Sequence, residues 1–384
     1  MKVRDKFLPY ALPEISDEEI NEVIDTIKSC WITTGPKTKQ FEESFANYIG
    51  CKHAIAVNSC TAGLHLSLIA NNISAGDEII TTPLTFCASV NVIEHCGAKP
   101  VLVDIREDTF NIDENIIEEK ITPNTKAILP VHYAGQACNL DKINQIATKH
   151  GLKVIEDAAH AVGTEYKGSK IGKDSYSASF SFYATKNLTT AEGGMIVTNN
   201  DDFAEKLRIL SLHGISKDAW KRYTAEGSWF YEVIYPGFKY NMTDIQAALG
   251  IHQLNKLDSF NTKRAKYANY YNEHFQNNKF IVTPKEIMPG KMTWHLYVIR
   301  LNNIDRSTFI EEMKNKNIGT SVHFIPIHFH PYYKTRYKYN EGDFPIAEKV
   351  YEEIVSLPLY PKMTFDEIKY VANTTLKIID KLSG

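Results

Sequence analysis

The chain has 384 residues, 43% of them hydrophobic, and a formal net charge of −3, so it is long enough and apolar enough to fill two cores. Its positive and negative side chains are interspersed, which argues against a nucleic-acid partner and against a membrane partner. No apolar run approaches the roughly 20 residues that span a bilayer, and the charged first residues lack a signal core, so we expect a cytoplasmic protein.

Short apolar runs alternate with helical patterns from about residue 38 to residue 250. The first helical pattern, 38–49, places Phe41, Phe45 and Ile49 on one face. Strand candidates follow at 54–57, 78–82, 100–105, 127–131, 153–156, 178–182 and 195–198. This alternation predicts an α/β fold in which a mostly parallel, seven-stranded sheet lies between helices.

The pattern changes after residue 250. A long helix is predicted at 250–275, a strand at 294–301, a helix at 307–316, a strand at 320–324 and two closing helices. We therefore expect a large domain with an N-terminal arm at 1–250 and a smaller α+β domain at 251–384. Ligands of open α/β sheets lie beyond the carboxyl ends of the strands, so residues directly after the strand candidates are the first functional candidates.

Asp157 and Lys186 each lie at or beyond the end of a predicted strand, in the segments EDAAH (156–160) and SFYATKN (181–187). Either residue alone is usually a solvated charge or a helix cap. Together they are the two groups that pyridoxal phosphate (PLP) chemistry needs, because a carboxylate keeps the pyridine nitrogen protonated and a lysine bonds the cofactor and moves a proton. The pair therefore predicts a PLP enzyme with Lys186 and Asp157 as its catalytic residues.

Two further segments follow strand candidates. Residues 58–64 open a helix, so their backbone N–H groups and the Thr61 hydroxyl are suited to a phosphate, although an ordinary helix cap is an equally good local explanation. Phe86 follows the next strand and is placed to stack on a cofactor ring, with a core aromatic residue as the alternative. Both assignments are favoured only because Asp157 and Lys186 also follow strand candidates.

Other motifs carry no function. The chain has no G-x-G-x-x-G or G-x-S-x-G motif, so dinucleotide-dependent redox chemistry and nucleophile-elbow hydrolysis lack their signatures. The spacing of His323, His328 and His330 matches no helical zinc motif, and the six cysteines form no Cys-x-x-Cys pair. We therefore expect no metal site.

The chain resembles the DegT/DnrJ/EryC1/StrS family of PLP-dependent sugar aminotransferases, which have fold type I. The resemblance runs nearly end to end and is carried by WITTGP (31–36), AVNSCTAGL (56–64), EDAAH (156–160), SFYATKN (181–187), EGG (192–194) and GFKYNMTD (237–244). An ordered set of this length is specific to the family.

The resemblance implies a role for each matched residue. Lys186 would bind PLP and shuttle the proton, Asp157 would pair with the pyridine nitrogen, and His160 would lie beside the ring hydroxyl. Phe86 would stack on the ring. The phosphate would be held by Thr61, Ala62, Ser181 and, from the neighbouring subunit of a homodimer, Asn241.

Within the family, the segments at 212–214, 220–223, 227–229 and 319–328 are most similar to spore-coat-polysaccharide and UDP-4-keto-sugar aminotransferases. This similarity implies that L-glutamate donates the amino group to C4 of a UDP-4-keto-6-deoxy-2-acetamido-hexose, for cell-surface polysaccharide or glycan biosynthesis. His323 and His328 would contact the sugar or its diphosphate.

Three alternatives compete with this assignment. A dTDP-linked 3- or 4-keto-sugar is the competing substrate. Sugar dehydratases on the same scaffold carry histidine at the position of the lysine, and Lys186 argues against that activity. A non-catalytic sugar-binding protein would have no use for the electron sink that Asp157 supports.

Overall fold

The computed structural model describes residues 3–216, 230–287 and 289–384. The segments 220–223 and 227–229, which contributed to the expected substrate class, lie outside the described residues. Within the described ranges, none of the helices combines the length and the apolar character that a membrane span requires.

A seven-stranded sheet forms the centre of the first part of the chain. The strands to residue 198 are β1 (His53–Val57), β2 (Glu78–Thr81), β3 (Lys99–Leu102), β4 (Thr125–Ile128), β5 (Lys153–Asp157), β6 (Glu165–Tyr166), β7 (Ser169–Lys170), β8 (Ser177–Ser181) and β9 (Gly194–Thr198). The sheet order is β1-β9-β8-β5-β4-β2-β3, with β6 and β7 in a separate small sheet. Only β9 runs against the other six strands of the large sheet. Each of the seven predicted strands is present, although β3 and β4 end three residues earlier than predicted.

The helices of this part of the chain are α1 (Asp17–Lys28), α2 (Pro36–Ile49), α3 (Cys60–Ala70), α4 (Ala88–His95), α5 (Leu140–His150), α6 (Asp201–Ser211) and α7 (Asp244–Phe275). Helix α1 packs against α7. Helix α2 shows why the pattern was readable. Pro36 occupies its first turn, Gly50 ends it with a φ of 83°, and Phe41 and Phe45 are fully buried. Helix α1 was not predicted, although its Ile20, Ile24 and Ile27 have helical spacing; this apolar stripe is exposed instead of facing the core.

The remaining elements are β10 (Ile281–Val282), β11 (Gly290–Lys291), β12 (Tyr297–Leu301), α8 (Arg306–Asn315), α9 (Pro331–Tyr337), α10 (Pro345–Glu353), β13 (Ile354–Leu357) and α11 (Phe365–Leu382). Strands β10, β12 and β13 form an antiparallel sheet. Helix α7 begins at a capping box of Thr243 and Gln246, six residues before the predicted start. Residue 250 therefore lies inside α7, and the division of the chain at 250 stays a prediction.

The predicted strand at 320–324 was wrong. Within this segment only Ser321 makes a bridge, to Ser356 of β13, and the following residues up to Pro326 are irregular. The carbonyl of His323 instead accepts a hydrogen bond from the Tyr133 hydroxyl. An apolar run of this length cannot be distinguished from a buried irregular segment by its pattern alone.

The candidate residues meet at one edge of the large sheet. Strands β1, β2, β5 and β8 run in the same direction, so their carboxyl ends lie on the same side, and antiparallel β9 begins there with Gly194. This is the edge at which open α/β sheets bind ligands.

Candidate active site

Asp157 is a buried carboxylate at the last position of β5. It is 5% exposed, and its two oxygens have different partners. The Ser89 hydroxyl donates to Oδ2 at 2.7 Å, and the Ala159 backbone N–H donates to Oδ1 at 3.0 Å. Hydrogen bonds to a charged group fix its orientation strongly, so this side chain is held in one position before any ligand binds.

Lys186 lies in the turn after β8, at the same edge of the sheet. Its backbone N–H donates to the Tyr183 carbonyl at 2.9 Å, which closes the turn. The side chain is partly buried, and desolvation lowers the pKa of its amine to about 8, while the nearby Asp157 carboxylate and the Cys60 thiol act to raise it. A lysine with this pKa is neutral in a useful fraction of molecules near physiological pH.

His160 is 7% exposed and lies on the same side of the sheet edge. The Ala134 backbone N–H donates to its Nδ1 at 3.2 Å, and its ring stacks on that of Phe324, with centroids 6.0 Å apart and planes 23° apart. Burial, followed by the charge of Lys186, holds the pKa of His160 well below its ordinary value. The imidazole is therefore neutral, with its proton on Nε2.

The amino end of α3 forms a cradle of donors. Ser59 caps the helix by accepting from the Ala62 N–H at 3.1 Å, and the first-turn N–H groups of Cys60 and Thr61 have no intrahelical partner. In the part of the chain that the structure describes, the Thr61 hydroxyl makes no hydrogen bond. Gly194 packs against this end so closely that a Cβ there would lie 2.6 Å from the Cys60 nitrogen.

Ser181 is the last residue of β8 and pairs with Gly194, which packs on this cradle, whereas Phe86 lies five residues after the end of β2. The Ser181 hydroxyl is 7% exposed and accepts from the Tyr183 N–H at 3.4 Å, a long bond that leaves the oxygen able to make a better one. Phe86 is 59% exposed, with its ring centroid 5.9 Å from that of Phe324. The core alternative for Phe86 is wrong, since the ring is mostly outside the core.

Asn241 pairs through its backbone with Val57, at the carboxyl end of β1. Its side-chain amide donates to the Thr34 hydroxyl at 2.6 Å, whereas its Oδ1 is buried without a partner in the described residues. The residue therefore lies near the edge that carries the cradle. Its contribution to a phosphate site across a subunit interface stays a prediction.

The two histidines predicted to contact substrate have different environments. The Nδ1 of His323 lies 2.8 Å from the Ser356 hydroxyl, and burial together with the charge of Lys186 lowers its pKa to about 4. His328 is 1% exposed, and its Nε2 lies 2.9 Å from Glu348 Oε1 beneath the ring of Phe344. The expectation that His328 contacts the sugar is therefore corrected: its ring is enclosed and its one paired nitrogen is occupied by Glu348.

Sequence reasoning missed three residues of this group. Ser89 orients Asp157, and the Sγ of Cys60 lies 3.3 Å from the Ser179 carbonyl and 4.0 Å from Asp157 Oδ1. Phe324 lies between the rings of Phe86 and His160. Ser89 and Cys60 both follow strand ends at the start of a helix, which is the signal that would have indicated them.

The residues present suit PLP. The phosphate would meet N–H groups without intrahelical partners, together with the Thr61 hydroxyl, which makes no hydrogen bond to the described residues, at the positive end of α3. The pyridine nitrogen would meet the oriented carboxylate of Asp157. The exposed ring of Phe86 offers a flat apolar surface. The cradle has no room for a side chain at Gly194, as a close backbone approach requires.

Comparison with known proteins identifies the family. The model of the DegT/DnrJ/EryC1/StrS aminotransferase family matches residues 13–376. The chain is 58% identical over 383 residues to the uncharacterised protein MJ1066 of Methanocaldococcus jannaschii, covering 99% of each. It is 51% identical over 381 residues to the spore coat polysaccharide biosynthesis protein SpsC of Bacillus subtilis, covering 98% of each.

Solved structures of aminotransferases superpose closely on this chain. Spr1654 of Streptococcus pneumoniae, described in PLP and PMP forms as a sugar aminotransferase, superposes in its PMP form with a TM-score of 0.93 at 35% identity, over 98% of this chain and 100% of that one. Helicobacter pylori PseC, an aminotransferase of pseudoaminic acid biosynthesis, gives 0.90 at 31% identity, over 98% and 100% of the two chains.

The chain therefore belongs to the DegT/DnrJ/EryC1/StrS aminotransferase family. The predicted fold class, the aminotransferase activity and the PLP cofactor are confirmed.

Proposed function

We propose that this PLP-dependent aminotransferase moves an amino group from L-glutamate to C4 of a UDP-linked 4-keto-6-deoxy-2-acetamido-hexose. The observation that carries the chemistry is the placement of Asp157 at the end of β5 and of Lys186 in the turn after the neighbouring parallel strand β8, with the pKa of the lysine lowered to about 8. The similarity to SpsC, a spore coat polysaccharide biosynthesis protein, and to PseC, an aminotransferase of pseudoaminic acid biosynthesis, supports a sugar acceptor and cell-surface polysaccharide or glycan biosynthesis as the pathway.

The cofactor would be held by contacts at both of its ends. The amino end of α3, with Thr61 and Ala62, and the Ser181 hydroxyl would bind the phosphate. Asp157 would keep the pyridine nitrogen protonated, and Phe86 would cover the ring. Bound PLP supplies an electron sink for the bond that is broken at the substrate carbon.

Lys186 would both attach the cofactor and carry the proton. An amine with a pKa of about 8 accepts and returns a proton readily near neutral pH, because the match between pKa and working pH favours general acid–base catalysis. His160, with its proton on Nε2, would donate a hydrogen bond to the ring hydroxyl. His323 faces the charge of Lys186 and would lie where the sugar enters.

Glutamate and the keto-sugar would use this one lysine in turn, which predicts ping-pong kinetics.

We also propose a homodimer in which Asn241 completes the phosphate site of the partner subunit. The exposed isoleucines of α1 support a subunit interface. The amide nitrogen of Asn241, which donates to the Thr34 hydroxyl within one chain, would be the donor to the phosphate.

The test is transfer of label from ¹⁵N-glutamate to a sugar, followed by mass spectrometry. Wild-type protein and Lys186→Ala are each incubated with PLP, the donor and either the UDP-linked or the dTDP-linked 4-keto-sugar. We expect label in the UDP-sugar with wild type alone. Faster labelling of the dTDP-sugar would replace the proposed substrate, and no labelling of either sugar would refute the proposed function.

A further inference from the structure

A buried histidine that was not among the predicted site residues links the lysine turn to His160. His295 is 6% exposed and lies just before β12. Its Nδ1 is 2.9 Å from the Oδ1 of Asn187, the residue that follows Lys186. Its ring centroid is 4.3 Å from that of His160. The His295 side chain thus contacts both Asn187, next to the proposed cofactor lysine, and His160.

The direction of the hydrogen bond between His295 and Asn187 is fixed by the surrounding carbonyls. The Asn187 amide nitrogen lies 3.0 Å from the Thr293 carbonyl and 2.8 Å from the Oδ1 of Asn261. The Asn261 amide nitrogen in turn donates to the Val162 carbonyl at 3.2 Å. A carbonyl can only accept, so Asn187 presents its oxygen to His295, and the proton of His295 is on Nδ1.

His160 has the opposite tautomer. Because the Ala134 N–H donates to its Nδ1, a neutral His160 carries its proton on Nε2. Burial holds the pKa of both histidines well below the ordinary value, and the titratable groups that face His295 are His160, Lys186, Arg264 and His323. All of these cations and imidazoles disfavour a second proton on His295, so its Nε2 keeps a lone pair.

We propose that His295 is a positioning residue for amino transfer, which holds the Lys186 turn through Asn187 and fixes the ring of His160 by packing against it. The inference rests on the proposed role of Lys186. The contact spans 108 positions of the sequence, so it ties the turn after β8 to the segment that leads into β12. Loss of the Nδ1–H would leave the buried Asn187 oxygen without a donor. The Lys186 turn and the His160 ring would then no longer be held in a fixed relative position.

The backbone around His295 has an anchor of its own. Arg264 on α7 is 2% exposed, and its Nη1 donates to the carbonyls of Trp294, His295 and Leu359 at 3.4, 3.2 and 2.7 Å. These bonds do not involve the imidazole. A change of the side chain at 295 is therefore expected to alter the position of Asn187 and His160 without detaching the segment.

Two variants separate the hydrogen bond from the ring. His295→Phe keeps a flat ring but removes the donor, whereas His295→Asn places an amide N–H near the position of Nδ1. His274→Phe is the matched control, because His274 on α7 contacts Asn373 and Tyr270, away from the site. The rate of the glutamate half-reaction is measured from pH 6 to 10 by the absorbance change of bound PLP, together with the melting temperature.

We expect His295→Phe to lower the rate at saturating glutamate by between about tenfold and a hundredfold and to shift its pH profile, with the glutamate KM within roughly threefold of wild type. His295→Asn should recover most of the rate. In ¹⁵N-histidine NMR of the wild-type enzyme, His295 should show a protonated Nδ1 and His160 a protonated Nε2, with resonances assigned from the variants.

A His295→Phe enzyme with a lower melting temperature but a wild-type rate and pH profile would overturn the proposal, as would an Nε2-protonated His295. If wild-type enzyme does not respond to glutamate, the proposed function fails instead. The NMR result for His295 remains readable in that case, so the two failures are distinguishable.

Discussion

The lowered pKa of Lys186 has a measurable consequence for the neutral amine. Burial brings this pKa to about 8, against about 10.4 for lysine in water. At pH 7 the amine is then neutral in about one molecule in ten, which is roughly 200 times the fraction for a solvated lysine. Since only the neutral amine reacts with an aldehyde, this difference sets how readily the side chain attaches PLP.

The Asp157→Asn variant tests the assigned causes. Asp157 raises the pKa of Lys186, so its neutralisation should lower that pKa further and increase the neutral fraction at pH 7 by at most about tenfold, the limit set by complete deprotonation. The pKa is measured on PLP-free protein by ¹³C reductive methylation and NMR, with the Lys186 resonance identified by its absence from Lys186→Arg.

Lys37 provides the internal control, because hydrogen bonds from its ammonium to Glu22 raise its pKa above the ordinary value. The titration midpoint of the Lys37 resonance should therefore lie above that of a solvated lysine, and the midpoint of the Lys186 resonance should lie below it. A Lys186 midpoint near or above 10, or a rise in that midpoint in Asp157→Asn, would refute the reasoning.

Three further outcomes follow from the same site. Ser89→Ala removes the donor to Asp157 Oδ2 and should reduce the free energy of unfolding by about 1.5–3 kcal/mol, measured by urea denaturation; an unchanged midpoint would show that the bond contributes nothing. Gly194→Ala places a Cβ 2.6 Å from the Cys60 nitrogen and should weaken PLP binding at least tenfold by fluorescence titration, and wild-type affinity would contradict the cradle. The pKa of His323 is lowered to about 4, below its unfolded value, so its contribution to stability is full above pH 6.5 and is lost as the pH falls towards 4. This loss should amount to about 2 kcal/mol between pH 7 and pH 5, seen as a fall in melting temperature that is smaller in His323→Gln.

Local patterns were sufficient for the sheet. Each strand of the large sheet is a short apolar run between helical patterns, and the parallel order places the strand ends together without any further information. The position of Asp157 and Lys186 at this edge could be predicted for this reason, since Asp157 directly follows the predicted run 153–156 and Lys186 lies in the short turn after the run 178–182. The end of a strand is a local feature of the sequence.

Contacts between distant segments were not predictable. His328 pairs with Glu348 and His295 with Asn187, and nothing in either local sequence indicates the partner. The prediction of a strand at 320–324 was wrong for the same reason, because the Tyr133 hydroxyl that donates a hydrogen bond to the His323 carbonyl is 190 positions away in the sequence. Tertiary hydrogen bonds of this kind override a short apolar pattern.

The central claim, that Lys186 is the residue that bonds PLP, is tested most directly by borohydride reduction of the wild-type enzyme followed by peptide mass spectrometry. The account predicts a pyridoxyl group on the peptide that contains Lys186 and no label in Lys186→Ala. A pyridoxyl group on another lysine, or an unlabelled wild-type enzyme, would contradict it.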